Sequence, residues 1–132
     1  MSNLAEVQHL SLEEYLAGEE AADVKHEYIA GEVFAMAGAT DEHVTISGNM
    51  FAMLRAHVRG TPCRVYMADM KLLVATQTAE NIFYPDVFVT CSSSDASERK
   101  LKREPTLIIE VLSESTEAYD RGAKFAHYRQ LE

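Results

Sequence analysis

Ile82-Phe83-Tyr84-Pro85-Asp86-Val87-Phe88-Val89 is the stretch that decides how the rest of the chain is read. It is rich in β-branched and aromatic residues, and so has the composition of a strand. Pro85 points to an edge position or a local bend in that strand. A second stretch, Thr106-Leu107-Ile108-Ile109-Glu110-Val111-Leu112, has the same character. Each carries one acid, Asp86 in the first and Glu110 in the second. A carboxylate inside a strand is costly to bury unless something positive meets it. Two such acids in neighbouring strands, with their side chains converging, form the oxygen-rich pocket that a hard divalent cation prefers.

Working outward, Ser11-Leu12-Glu13-Glu14 has the pattern of a capping box opening a short helix to about Ala17. Leu12, Tyr15 and Leu16 give that helix an apolar face, and residues 18–24 read as a loop. Residues 25–30 and 32–36 form a predicted hairpin turning at Gly31. From Asp41 the apolar period becomes helical. Val44, Phe51, Leu54 and Val58 share one predicted face, Asp41 and Glu42 suit the helix N-terminus, and Gly60 and Pro62 mark its end. Residues 63–67 and 70–74 are two further candidate strands, with Asp69 in the turn between them. A polar turn spans 76–81 and a serine-rich loop 92–94. After the Glu110 strand, Ser113, Ser115 and Thr116 suit helix caps, and a last helix is expected from Glu117 to about Leu131. This order predicts an α/β fold with a mixed sheet flanked by helices, in one domain over residues 1–132.

The totals narrow the function classes. With 47% hydrophobic residues among 132, the chain has enough apolar content to fold. No apolar run reaches the length of a membrane span, and no leader pattern opens the chain, so a cytoplasmic location without membrane contact is expected. Cys63 and Cys91 lack metal-ligand spacing and are expected to be free thiols. The formal charge of −9 counts against a simple nucleic-acid binder. It does not exclude a nuclease, because acids grouped at a metal site count as negative until the metal arrives. Arg99, Lys100, Lys102 and Arg103 lie between the two acid-bearing strands, either to touch a phosphate backbone or as a solvated loop.

Pro85-Asp86 followed by Glu110 24 positions later resembles the core of the PD-(D/E)XK nuclease superfamily. Tyr84-Pro85-Asp86-Val87, Ile109-Glu110-Val111-Leu112-Ser113 and Asp120-Arg121-Gly122-Ala123-Lys124 are similar to words of its Uma-type branch of restriction-endonuclease-like proteins. The resemblance runs from about Leu12 to the C-terminus. It implies a restriction-endonuclease-like core, DNA as substrate, and Mg²⁺, or Mn²⁺ in its place, held by Asp86 and Glu110.

One departure stands out. The superfamily pattern puts a lysine two residues after the glutamate, and here that position is Leu112. The resemblance implies that Lys124, on the last helix, supplies the ammonium instead. Read from the residues alone, Asp120 and Lys124 are also an i, i+4 surface ion pair. The resemblance further implies that Glu27, in its Glu-Tyr-Ile-x-Gly setting, faces the metal site, and that His43 lies near it as a substrate-binding or metal-binding group. On residues alone, Glu27 is an ordinary strand residue, His43 an exposed helix-start residue and Tyr128 a packing residue.

The expected reaction is then metal-assisted phosphodiester hydrolysis, with Asp86, Glu110, Lys124 and Glu27 as catalytic groups, Glu27 either completing the metal shell or acting on the water. The resemblance implies that members of the branch continue through a further strand pair, so either a form shortened at the C-terminus or an open sheet edge finished by a second subunit, as a homodimer, is expected. Two other readings stay open: a non-catalytic module that keeps the fold for binding or oligomerisation, and an enzyme acting on another phosphate ester. The enzyme readings require Asp86, Glu110 and Lys124 to meet in one cleft, whereas the binding module fits a Lys124 that faces bulk water.

Overall fold

The computed structural model describes residues 9–113, 122 and 124–131. It is an α/β fold with a restriction-endonuclease-like core, in which two sheets lie between helices. Helix α1 (Leu12–Ala21) is followed by the hairpin β1 (His26–Ile29) and β2 (Glu32–Ala35), then the long helix α2 (Asp41–His57). Strands β3 (Arg64–Met67), β4 (Lys71–Ala75), β5 (Glu80–Phe83) and β6 (Val87–Thr90) come next. The short helix α3 (Ser93–Ser97), strands β7 (Leu101–Lys102) and β8 (Pro105–Ile109), and the helical turn α4 (Phe125–Tyr128) complete the described elements.

Strand order is β2-β1-β5-β4-β7 in the larger sheet and β3-β6-β8 in the smaller. The larger sheet is mixed, because β4 and β7 pair in parallel while its other pairs are antiparallel. Side-chain alternation along the strands then separates three apolar layers. Tyr28, Leu73 and Ile82 pack with Tyr15 beneath α1. Leu72, Val74, Phe83 and Phe88, with Ile29, Ile108, Tyr128 and Leu131 beside them, fill the middle layer. Val65, Val87 and Val89 meet Phe51, Leu54 and Val58 of α2 on the far side.

The stretch 82–89 is not one strand. It breaks at Tyr84-Pro85-Asp86, so that β5 belongs to the larger sheet and β6 to the smaller. Pro85 has no N–H to continue a ladder, and the chain changes sheets there. Asp86 therefore sits at the crossing, and Ala68 N donates to its carbonyl from the β3–β4 turn. Strand β8 likewise stops one residue before Glu110.

Several local expectations hold in detail. Ser11 and Glu14 form the reciprocal capping box of α1. The β1–β2 turn uses Ala30 and Gly31 at positive φ, as a two-residue hairpin demands. A Cβ on Gly31 would come within 2.9 Å of the His9 ring. Buried Asn81 anchors that turn, accepting from Ala30 N at 3.2 Å and donating to Val74 O at 3.0 Å.

Other expectations are corrected. Helix α1 runs to Ala21, not Ala17, because Glu19 has partners: its carboxylate accepts from His26 N and from the Tyr84 hydroxyl. Val44 is exposed rather than packed, since the buried stripe of α2 passes through Ser47 instead. The serine loop is the short helix α3, capped by Ser92. Cys63 and Cys91 are disulfide-bonded, not free. Antiparallel β3–β6 pairing sets Arg64 opposite Thr90, which places these two cysteines opposite each other one step further on, with Cα atoms 3.9 Å apart.

The basic run is largely structural. Lys102 is buried, donates to the carbonyls of Asp95 and Glu98, and lies over the Tyr66 ring. Lys100 pairs with Glu20 and Arg103 with Glu98. Asp69 is an exposed turn residue paired with Lys25. Among the described residues no helix is long and apolar enough to cross a membrane. Ser115, Thr116 and Asp120, and hence the Asp120–Lys124 pair, lie outside the described residues.

Candidate active site

Strand parity brings the acids together. Glu27 shares a β1 face with Ile29, and Glu110 continues the face of Ile108, so both turn toward the middle layer. Lys124 lies in helical backbone just ahead of α4, and Tyr128 follows four residues later on the same face. Asp86 reaches the cluster from the sheet crossing, and His43 from the first turn of α2.

The contacts form one chain of groups. Lys124 Nζ lies 2.7 Å from Glu110 Oε2 and 2.9 Å from Glu27 Oε2. The Tyr128 hydroxyl donates to Glu110 Oε2 at 2.6 Å. The other Glu110 oxygen, Oε1, is 3.4 Å from the Asp86 backbone N–H. Val111 N donates to Asp86 Oδ2 at 2.7 Å, and His43 Nε2 lies 3.2 Å from the same oxygen. Exposure rises along this chain. The Lys124 and Glu27 side chains are 5% and 7% exposed, Glu110 is 14%, and His43 and Asp86 are 19% and 20%. The cluster is sealed at the lysine end and open at the aspartate end.

Among the described residues the cluster holds three carboxylates, of which Glu27 and Glu110 meet the Lys124 ammonium and Asp86 meets His43. Burial pushes the Glu110 carboxyl up from 4.5 to about 7. Lys124 and Tyr128 pull it down, and the Asp86 charge adds to the rise. Burial works to lower the Lys124 ammonium, yet Glu110 and Glu27 outweigh it and hold it above its ordinary value. Both groups retain their protons more firmly, Glu110 through burial and Lys124 through its two carboxylate partners.

All five residues singled out from the sequence, Glu27, His43, Asp86, Glu110 and Lys124, thus fall in one connected site. Leu112 is partly exposed and takes no part in these contacts. Glu27 is buried, not an ordinary solvent-facing strand residue. Sequence reasoning missed Tyr128, which it assigned to packing. The ring does pack, edge-on to Phe83, but its hydroxyl reaches Glu110. The i, i+4 spacing from Lys124 was the available signal. Among the described residues no group of three or more His, Cys, Asp or Glu side chains converges as a ready-made metal cage. Lys124 stands between Glu27 and the other two acids, which leaves Asp86 and Glu110 as the pair free to share a cation.

The chain is 41% identical over 119 residues to uncharacterized protein slr1290 of Synechocystis sp. (strain ATCC 27184 / PCC 6803 / Kazusa), covering 90% of this chain and 62% of that protein. It is 34% identical over 134 residues to uncharacterized protein sll1609 of the same organism, covering 99% of this chain and 74% of that protein. The chain thus spans about three fifths of the first relative's length and about three quarters of the second's. The profile of the Uma2 family, described as "Putative restriction endonuclease", matches residues 12–132, and the chain belongs to that family.

Proposed function

We propose that this chain is a metal-dependent endonuclease that hydrolyses DNA phosphodiester bonds. The observation that carries the reading is the junction of Asp86, Glu110 and Lys124 in one cleft, with the lysine buried. The binding-module reading goes with a Lys124 that faces bulk water, whereas this one lies against Glu110 and Glu27.

The donor set fits Mg²⁺ or Mn²⁺. Such ions are commonly held by one or two carboxylates, with water and substrate phosphate completing the shell. Asp86 and Glu110 supply hard oxygen donors, and the burial that raises Glu110 disfavours its charged form until a cation meets it. When bound, the metal polarises a phosphate oxygen and makes water a better nucleophile.

The residues of the chain do the rest. The scissile phosphate enters from the open end, beside Asp86 and His43, where the His43 imidazole can donate to a phosphate oxygen. Lys124 stays protonated and sets its ammonium against the charge that develops at phosphorus. Glu27 fixes the lysine from behind. Val111 N–H holds the Asp86 carboxylate in orientation.

Supercoiled plasmid incubated with Mg²⁺ or Mn²⁺ tests the reading, with Asp86→Ala run alongside. Nicked or linear product from the wild type alone is the expected outcome. Equal product from both proteins, or none from either, overturns it. A homodimer is part of the same proposal. Strand β8 pairs only with β6 among the described strands and carries exposed Leu107, an edge that a second copy could extend. Sedimentation of the wild type against Leu107→Lys reads that contact, and an unchanged monomer for both would remove it.

A further inference from the structure

We propose that Tyr128 is a positioning residue for Glu110, and that its hydroxyl, not its ring, sets how well the site holds a divalent cation. The inference rests on the metal-dependent reading above.

A glutamate just past a strand end can rotate freely about its last torsions, so something must choose which oxygen faces Asp86. Two donors converge on Glu110 Oε2, the Tyr128 hydroxyl at 2.6 Å and Lys124 Nζ at 2.7 Å. Together they pin that oxygen and leave Oε1 3.4 Å from the Asp86 backbone N, at the end of the site where the Asp86 residue lies. The two donors are not equivalent. Lys124 is shared with Glu27, so it can shift between the two acids, and its positive charge repels an incoming cation. Tyr128 is neutral and anchored, its ring edge-on to Phe83 at 5.2 Å in the middle apolar layer. A neutral donor on a rigid ring can orient a ligand carboxylate without opposing the metal. Outer partners of this kind commonly change metal affinity 10- to 100-fold when removed.

The test is Mn²⁺ binding by calorimetry to wild type, Tyr128→Phe and Asp86→Asn, with thermal melts of each. Tyr128→Phe keeps the ring and its contact with Phe83. The expected result is loss of binding in Asp86→Asn and about tenfold weaker binding in Tyr128→Phe, the latter at an unchanged melting temperature. In the cleavage assay Tyr128→Phe should lower kcat and leave KM for DNA unchanged. Wild-type affinity in Tyr128→Phe, with Asp86→Asn impaired, overturns the role of Tyr128 alone. Equal heats from wild type and Asp86→Asn overturn the metal reading beneath it as well. If Tyr128→Phe does not fold, wild type with ring-¹³C tyrosine decides. The tyrosine resonance in contact with Phe83 should shift with Mg²⁺ along the calorimetric curve, and a stationary resonance overturns the proposal.

Discussion

Lys102 and Lys124 are both buried, and the difference between them separates scaffold from site. Lys102 gives its ammonium to two main-chain carbonyls and to the face of Tyr66. The nearby Asp95 carboxylate is fully occupied, accepting from Thr90, Arg103 N and Glu104 N. Every charge there has a fixed partner. Lys124 meets two carboxylates that exceed it in charge, with a third close by. Burial of a lysine therefore does not mark a functional site by itself. What sets Lys124 apart is that its partners are ionisable carboxylates rather than main-chain carbonyls, and carboxylates can also receive a cation.

Substitution of each lysine should break the two regions in different ways. Lys124→Met is expected to cut cleavage by about 10²- to 10³-fold, the usual loss when a preorganised electrostatic group is removed. Single-turnover rates on plasmid measure it, and retention of full activity would put Lys124 in the scaffold class. Lys102→Met should leave the rate per folded molecule unchanged. It orphans two carbonyls and should lower unfolding free energy by roughly 2–4 kcal/mol in urea titrations.

The burial of Glu110 predicts a pH effect on the cation-free protein. The Glu110 carboxyl is raised from 4.5 to about 7 in the fold. Its contribution is therefore fully present below 4.5 and is lost as pH climbs through 7. The linked change is on the order of 3 kcal/mol, falling with rising pH. Glu110→Gln should flatten that slope, and so should saturating Mg²⁺ if the metal sits there. Lys102→Met keeps Glu110 and should show the wild-type slope. The smallest effect belongs to the cap of α1, where Ser11→Ala removes one half of the capping box. A loss of about 1 kcal/mol with no change in cleavage is expected, and a larger fall in activity would tie α1 to the site.

Much of this was legible because local chemistry is local. The capping box, the Ala30-Gly31 turn, the acid-bearing apolar stretches and the helical period after Asp41 follow from neighbouring residues alone. The residues 99–103 show where such reading fails. Four basic side chains in five positions suggest a phosphate track, yet β4–β7 pairing buries Lys102 and α1 supplies Glu20 to Lys100. The cysteines fail for the same reason. Their pairing depends on the register of β3 against β6, which no feature near either residue encodes.

Sequence by itself, read with the family resemblance, singles out Asp86, Glu110, Glu27, His43 and Lys124 as candidate groups. Only the tertiary structure decided what each one faces. It split the Asp86 stretch at Pro85 so that the acid lies where two sheets meet, and it laid Lys124 and Tyr128 on a single Glu110 oxygen. The reason is physical: residue type and short-range period govern a strand or helix, whereas the order of strands and the burial of a charge depend on segments far apart in the chain.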